Sequence, residues 1–167
     1  LSKEDCDKLT SQSRSIGGAL GGMPMAIKDL ANVKGFKTTE GSPLYSERVA
    51  QKDDQMVARL RAAGALFIGK TNTPEFGLGS NTFNLVYGKT KNPYDLSKTC
   101  GGSSGGAAVA LATRMLSISE GSDMMGSLRN PAAWNNVYGL RPTWGLIPPE
   151  PSGEIFLSQL TTLGPMA

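Results

Sequence analysis

The feature that most restricts how this chain folds is a run of glycine and serine opening straight into small apolar residues. Gly101-Gly-Ser-Ser-Gly-Gly106 leads into Ala107-Ala-Val-Ala-Leu-Ala112. A helix with so little side-chain bulk can bring its first turn almost against other backbone, so it belongs inside a packed fold. Three uses suit such a turn: a phosphate cradle of backbone amides at a helix start, a flexible linker, or a serine-bearing active-site turn. The chain has neither a GxxxxGK[ST] nor a GxGxxG pattern, which weighs against the cradle. The helix that follows directly weighs against the linker.

The remaining pattern reads as α/β. A short helix is expected over Ser2 to Ser13, with Ser2 as N-cap, and Gly17 to Gly22 reads as a turn. Met23-Pro-Met-Ala-Ile-Lys-Asp-Leu30 reads as a largely buried strand ending at Lys28 and Asp29. Asp53 or Asp54 is placed to cap a helix from Gln55 to Ala63, with Met56, Val57, Leu60 and Ala63 along one face. Gly64 ends it, and Ala65-Leu-Phe-Ile68 is the next strand, a helix–strand step typical of α/β folds. Leu78 to Thr99 reads as surface loop, Met115 to Ser119 as a strand, Gly121 to Ser127 as a second tight turn, and Val137 to Pro142 as a further strand. Beyond Ile147 the Pro- and Gly-rich sequence predicts no closing element. The expected architecture is a mixed, largely buried β-sheet with helices on both faces, in one domain over residues 1–167.

Composition narrows the chemistry. With no histidine among its 167 residues, this segment cannot itself supply a Ser–His–Asp triad, a Cys–His pair or a His-ligated metal. Proton transfer must fall to Lys, Asp, Glu, Tyr or Cys. Two cysteines, Cys6 and Cys100, form no CxxC pattern, so neither a disulfide framework nor a zinc site is expected. The charge balance, 17 Lys and Arg against 14 Asp and Glu, is too weak and dispersed for a nucleic-acid footprint. No apolar run approaches the roughly 20 residues of a membrane span. These absences predict a cytoplasmic protein with no membrane contact.

The second turn, Gly121-Ser-Asp-Met-Met-Gly-Ser-Leu-Arg-Asn-Pro-Ala132, places Ser127 directly after a glycine. Such a turn suits a hydroxyl nucleophile with backbone amides aimed at a developing oxyanion, and equally a loop that merely closes a strand.

Together with Lys28, the two turns resemble the amidase signature family. The resemblance runs through Gly21–Leu30, Gly64–Phe76, Lys91–Asp95, Gly101–Gly106, Gly121–Ala132 and Gly139–Gly145, in family order. Seventy-five positions separate Lys28 from Ser103 and 24 separate Ser103 from Ser127, both typical of the family. The resemblance implies a Ser–Ser–Lys triad without metal or organic cofactor. Ser127 would be the nucleophile, Ser103 the bridging serine behind a cis Gly102–Ser103 peptide, and Lys28 the base. The amides of Met124, Met125, Gly126 and Ser127 would form the oxyanion hole, and Ser104, Asp123 and Arg129 would support the turns. A base of this kind is chemically reasonable, because burying an ammonium lowers a lysine pKa from its usual value of about 10.4.

The implied reaction is hydrolysis of a small-molecule carboxamide to an acid and ammonia or an amine through an acyl-serine. The alternatives are the glutaminase subunit of a tRNA-dependent amidotransferase, and a non-catalytic fragment that keeps the motifs. Asn130-Pro-Ala-Ala-Trp-Asn-Asn136 looks more like the stand-alone amidases. A nitrilase-like Cys–Glu–Lys arrangement would need Cys100 as nucleophile, and no second motif accompanies it. The chain departs from the family in three ways. Met125 replaces a second glycine, which would be strained if the backbone there has positive φ. Cys100 stands where Pro or a small residue is common. Family members are also much longer, so a fragment incomplete at its C-terminal end is expected; its exposed sheet edge would favour association between copies.

Overall fold

A computed structural model of the chain describes residues 3, 4, 7, 11, 17–151 and 158–167. Most of the helix expected over Ser2 to Ser13 lies outside these residues.

Strand β1 (Pro24–Lys28) pairs in parallel with β2 (Leu66–Thr71), and helix α1 (Gln55–Ala62) connects them. Strand alternation splits β1 between two cores. Met25 and Ile27 pack with Val33, Val57, Ala65 and Phe67 on the α1 side. Ala26 points the other way, into a cluster with Ala107, Ala108, Leu111, Leu128 and Met166. That second cluster rests on helix α2 (Gly105–Ala112), so helices cover both faces of the strand. The same alternation turns Lys28 toward the α2 side.

Asp54 occupies the N-cap position of α1 without capping it, because its carboxylate accepts from the amide and side chain of Asn32 at 2.8 and 2.9 Å. Glu150 takes the Gln55 N–H at 2.9 Å instead. Within the segment read as loop, Phe83–Asn84 (β3) and Gly88–Lys89 (β4) form a minimal antiparallel hairpin.

The expectation fails most clearly around the second turn. The strand there is β5 (Ser119–Asp123), not Met115 to Ser119. Met115 is 72% exposed, whereas the polar run Ser119-Glu-Gly-Ser-Asp123 is almost wholly buried. The tight turn accordingly follows Asp123 rather than starting at Gly121. Strand β6 (Thr162–Met166) pairs antiparallel with all of β5, so the chain does have a late closing element. The expected strand Val137 to Pro142 is reduced to one bridge, Gly139 to Met166, on the outer side of β6. Gly164 meets this crowding directly: a Cβ there would lie 2.3 Å from the Leu140 carbonyl oxygen. The short helix α3 (Arg129–Trp134) follows the turn.

Close packing at the start of α2 has a measurable consequence. A Cβ on Gly106 would lie 2.3 Å from the Asn72 nitrogen and 2.7 Å from its carbonyl oxygen, both main-chain atoms that cannot swing aside. Gly106→Ala is therefore expected to destabilise the fold by about 1–3 kcal/mol through overpacking, despite alanine's better helix propensity. Chemical denaturation checks this, and an unchanged or raised midpoint would show that the helix start has room.

Candidate active site

The Lys28 amine sits at the centre of the site, 1% exposed at the end of β1. Its Nζ donates to Ser103 Oγ at 2.7 Å, Ser104 Oγ at 2.9 Å and Ser122 Oγ at 2.9 Å. Ser103 and Ser104 come from the turn that opens α2, and Ser122 comes from β5. Three elements distant in sequence thus converge on one amine.

Local backbone explains the convergence. Gly101 has φ +79°, and the Gly102–Ser103 peptide is cis, as the resemblance implied. A Cβ on Gly102 would lie 3.1 Å from main-chain atoms of Ser80 and Asn81, and one on Gly105 would strike Thr82 Oγ1 at 2.2 Å. Gly121 admits Ser104 in the same way, its virtual Cβ lying 2.6 Å from Ser104 Oγ. Ser104 Oγ also accepts from the Ser122 N–H and donates to the Ser122 carbonyl, both at 3.2 Å, so the first turn is tied to β5.

Asp123 builds the second turn. Its fully buried carboxylate accepts from the amides of Gly126 at 2.8 Å, Leu128 at 3.1 Å and Arg129 at 3.3 Å. Both Nε and Nη2 of Arg129 donate to it at 2.9 Å, and Arg141 Nε lies 3.3 Å away. Burial alone would raise its pKa, but the Arg129 bonds and the three amides outweigh burial and hold it well below the usual carboxylate range. Arg129 and Asp123 thus act as the turn's own clamp.

Two details differ from what the sequence suggested. The positive φ, +115°, falls on Gly126, while Met125 is not among the described residues with positive φ. The anticipated strain at Met125 is therefore absent, and its side chain is 83% exposed. The Gly126 N–H is already given to Asp123, so Gly126 shapes the turn rather than offering a free oxyanion donor. The amides of Met124, Met125 and Ser127 have no acceptor among the described residues.

Ser103 and Ser127 line one cleft of about 250 Å³, with Leu30, Phe76, Leu78, Met124 and Met125 as its apolar walls. The main-chain N–H of Ser104 donates to the Ser127 carbonyl at 3.2 Å, fixing the two turns against each other.

Burial in this setting lowers the Lys28 pKa to about 7, against the opposing pull of the Glu120 and Asp123 carboxylates. Glu120 itself, buried on β5, accepts from the Lys28 main-chain N–H, and burial raises its carboxyl. Sequence reading missed Glu120, Ser122 and Arg141. Glu120 and Ser122 alternate along β5 and face β1 together, but that alternation is visible only once the polar run is seen to be a strand. Cys100 is also buried, its thiol 3.1 Å from the Thr90 carbonyl oxygen, and burial pushes its pKa up. That is the wrong direction for a nucleophile. Among the described residues no cluster of His, Cys, Asp or Glu is arranged to hold a metal, and no helix is long and apolar enough to cross a membrane.

Known proteins match this chain along nearly its whole length. The family model described as Amidase matches residues 2–167. The A subunit of the glutamyl-tRNA(Gln) amidotransferase of Alkaliphilus metalliredigens is 46% identical over 160 residues, covering 95% of this chain and 32% of the relative. That of Saccharolobus solfataricus is 40% identical, covering 99% and 34%. Among solved structures, a 6-aminohexanoate cyclic dimer hydrolase complexed with substrate superposes with a TM-score of 0.89 at 34% identity, over 96% of this chain and 34% of that one. Native peptide amidase from Stenotrophomonas maltophilia superposes with a TM-score of 0.85 at 36% identity, over 98% and 35%. The chain thus spans about a third of the length of the relatives it matches. With the match running through nearly every residue of the chain, and the same α/β fold in the solved neighbours, this chain belongs to the amidase family.

Proposed function

We propose that the segment carries the catalytic centre of an enzyme hydrolysing carboxamides through an acyl-Ser127 intermediate. The observation that carries this is the buried Lys28 amine, 2.7 Å from Ser103 Oγ, beside a cleft that Ser103 shares with Ser127. Neutral Lys28 takes the Ser103 proton as Ser103 takes that of Ser127. Ser127 Oγ then bonds the carbonyl carbon, and the C=O π pair moves to oxygen. The amides of Met124, Met125 and Ser127, which have no acceptor among the described residues, would receive that oxyanion. Collapse breaks the C–N bond, the proton held by Lys28 returns through Ser103 to the leaving nitrogen, and water releases the acid from the ester by the same relay. The reaction balances with these groups and water alone.

A second reading is a glutaminase subunit that passes its ammonia to a partner. The two amidotransferase relatives favour it, while the hydrolase and peptide amidase neighbours favour a stand-alone enzyme. Ammonia release from glutamine, compared with turnover of aryl and aliphatic amides, separates the two.

The shared catalytic claim is tested by treating the intact protein with a fluorophosphonate and mapping the adduct by mass spectrometry. One adduct, on Ser127, is expected. Absence of an adduct in folded protein would overturn the assignment and favour a non-catalytic chain that keeps the motifs, and an adduct on another serine would move the nucleophile away from Ser127.

A further inference from the structure

Glu120 is a buried carboxylate beside the site that the proposed reaction leaves unused; its buried neighbour Asp29 is instead taken up by Thr39 and Lys70. The counterpart of Glu120 on the same strand, Asp123, is committed to the turn through three amides and Arg129. Glu120 is placed differently. Its side chain accepts from the Lys28 main-chain N–H across the edge of β1 that β2 leaves free. One step along, Ser119 Oγ donates to the Ala26 carbonyl at 3.0 Å, so side chains of β5 complete the hydrogen bonding of β1 where no backbone ladder exists. Glu120 and Lys28 also line a second cavity, of about 210 Å³, behind the catalytic cleft. The two cavities share Leu30, Ser122 and Thr161.

Three hydroxyls surround the Lys28 amine, and no carboxylate lies within ion-pair distance of it among the described residues. Hydroxyls orient an ammonium but do not neutralise it. In the proposed mechanism Lys28 begins neutral, acquires a proton as the tetrahedral intermediate forms, and must keep it until the C–N bond breaks. A positive charge therefore develops in a site that excludes water, where an uncompensated charge is costly.

We propose that Glu120 is a positioning residue for the base: it pins the end of β1 so that the Lys28 amine meets its three hydroxyls, and it supplies the negative charge against which the transient ammonium forms. This rests on the hydrolytic reading of the site. The other charged groups facing Glu120 are Lys70 on β2, whose field also favours the carboxylate, and Asp54 and Glu150, which line the same cavity and oppose it. Lys70 is itself shared with Asp29 at 3.3 Å and the Ala31 carbonyl at 2.7 Å, which leaves Lys28 as the cation Glu120 serves most directly.

The test is the pH profile of Ser127 acylation by a fluorophosphonate, in the intact protein, for wild type, Glu120→Gln and Glu120→Ala. Glutamine keeps the acceptor for the Lys28 N–H and removes the charge. Its midpoint is expected to fall by about one pH unit, because losing a nearby anion disfavours the ammonium. Its plateau rate should fall severalfold, because the weaker base drives proton transfer less. Alanine also removes the pin and should lower the plateau at least a further tenfold. A midpoint in Glu120→Gln equal to wild type would overturn the proposal while leaving the triad intact. Failure of wild type to label on Ser127 would instead defeat the hydrolytic reading. If neither variant folds, infrared titration of wild type with isotope-labelled Glu decides the matter. An ionised Glu120 across the active pH range is expected, and a protonated one would refute the role.

Discussion

Ser127→Ala is expected to reduce amide turnover by about 10⁴–10⁶-fold while leaving the fold intact. The size follows from the position of the hydroxyl. Ser127 is half-buried at the wall of the cleft, and its tie to the rest of the site is made by its carbonyl, which accepts from the Ser104 amide. Removing Oγ leaves that bond, the clamp around Asp123 and the positive φ of Gly126 unchanged. Among the described residues no hydrogen bond is made by the hydroxyl, so its loss should shift the thermal midpoint by no more than a degree or two. What disappears is the atom that forms the new bond to the carbonyl carbon. The Met124, Met125 and Ser127 amides and the cleft remain, so substrate binding should survive even though acylation does not. Turnover in Ser127→Ala near the wild-type rate would mean that the nucleophile is another group, or that the cleft performs no covalent chemistry.

The elements that were legible in the sequence are those whose physics is local. Met25, Ala26 and Ile27 make a short apolar run, and it forms β1 with Lys28 at its end. Met56, Val57 and Leu60 recur at helical spacing and place α1 against the core. The Gly-Ser turn reads correctly because only small residues tolerate backbone at the distances found around Gly102, Gly105 and Gly106. The strand that completes the site was not legible, since Ser119-Glu-Gly-Ser-Asp123 carries no apolar side chain. Its burial is made tolerable by partners from far along the chain: Ala26, Lys28, Ser104 and Arg129. A polar segment becomes a core strand only when those partners are in place, and single-sequence periodicity contains no trace of them. Strand β6 was hidden for a related reason. Gly164 and Pro165 read as loop residues, yet Gly164 is required by the approach of the Leu140 carbonyl, and β6 forms a full ladder only with β5. The polar strand and Lys28 are thus two halves of one arrangement, and the residues that the sequence hid are those that lie between them.

Replacing Lys28 should lower the rate of Ser127 acylation by about 10²–10⁴-fold, the range over which a positioned general base acts. Methionine is the informative first replacement, since it fills a similar buried volume without a polar head. It does strand Ser103, Ser104 and Ser122, each of which now accepts a hydrogen bond from the amine, so some loss of stability is expected alongside the loss of rate. Lysine-to-arginine separates charge from basicity. A guanidinium at this position would keep a cation in the site but does not release its proton at any working pH, so Lys28→Arg should be as slow as Lys28→Met. In wild type the base is competent only when deprotonated, and burial sets that transition at about 7. The acylation rate should therefore rise with pH through about 7 and level off above it, with the low-pH limb missing from both variants. An arginine variant that retained the wild-type rate, or a wild-type rate that fell as pH rose through 7, would mean that Lys28 acts as a fixed positive charge and that the proton of Ser127 leaves by another route.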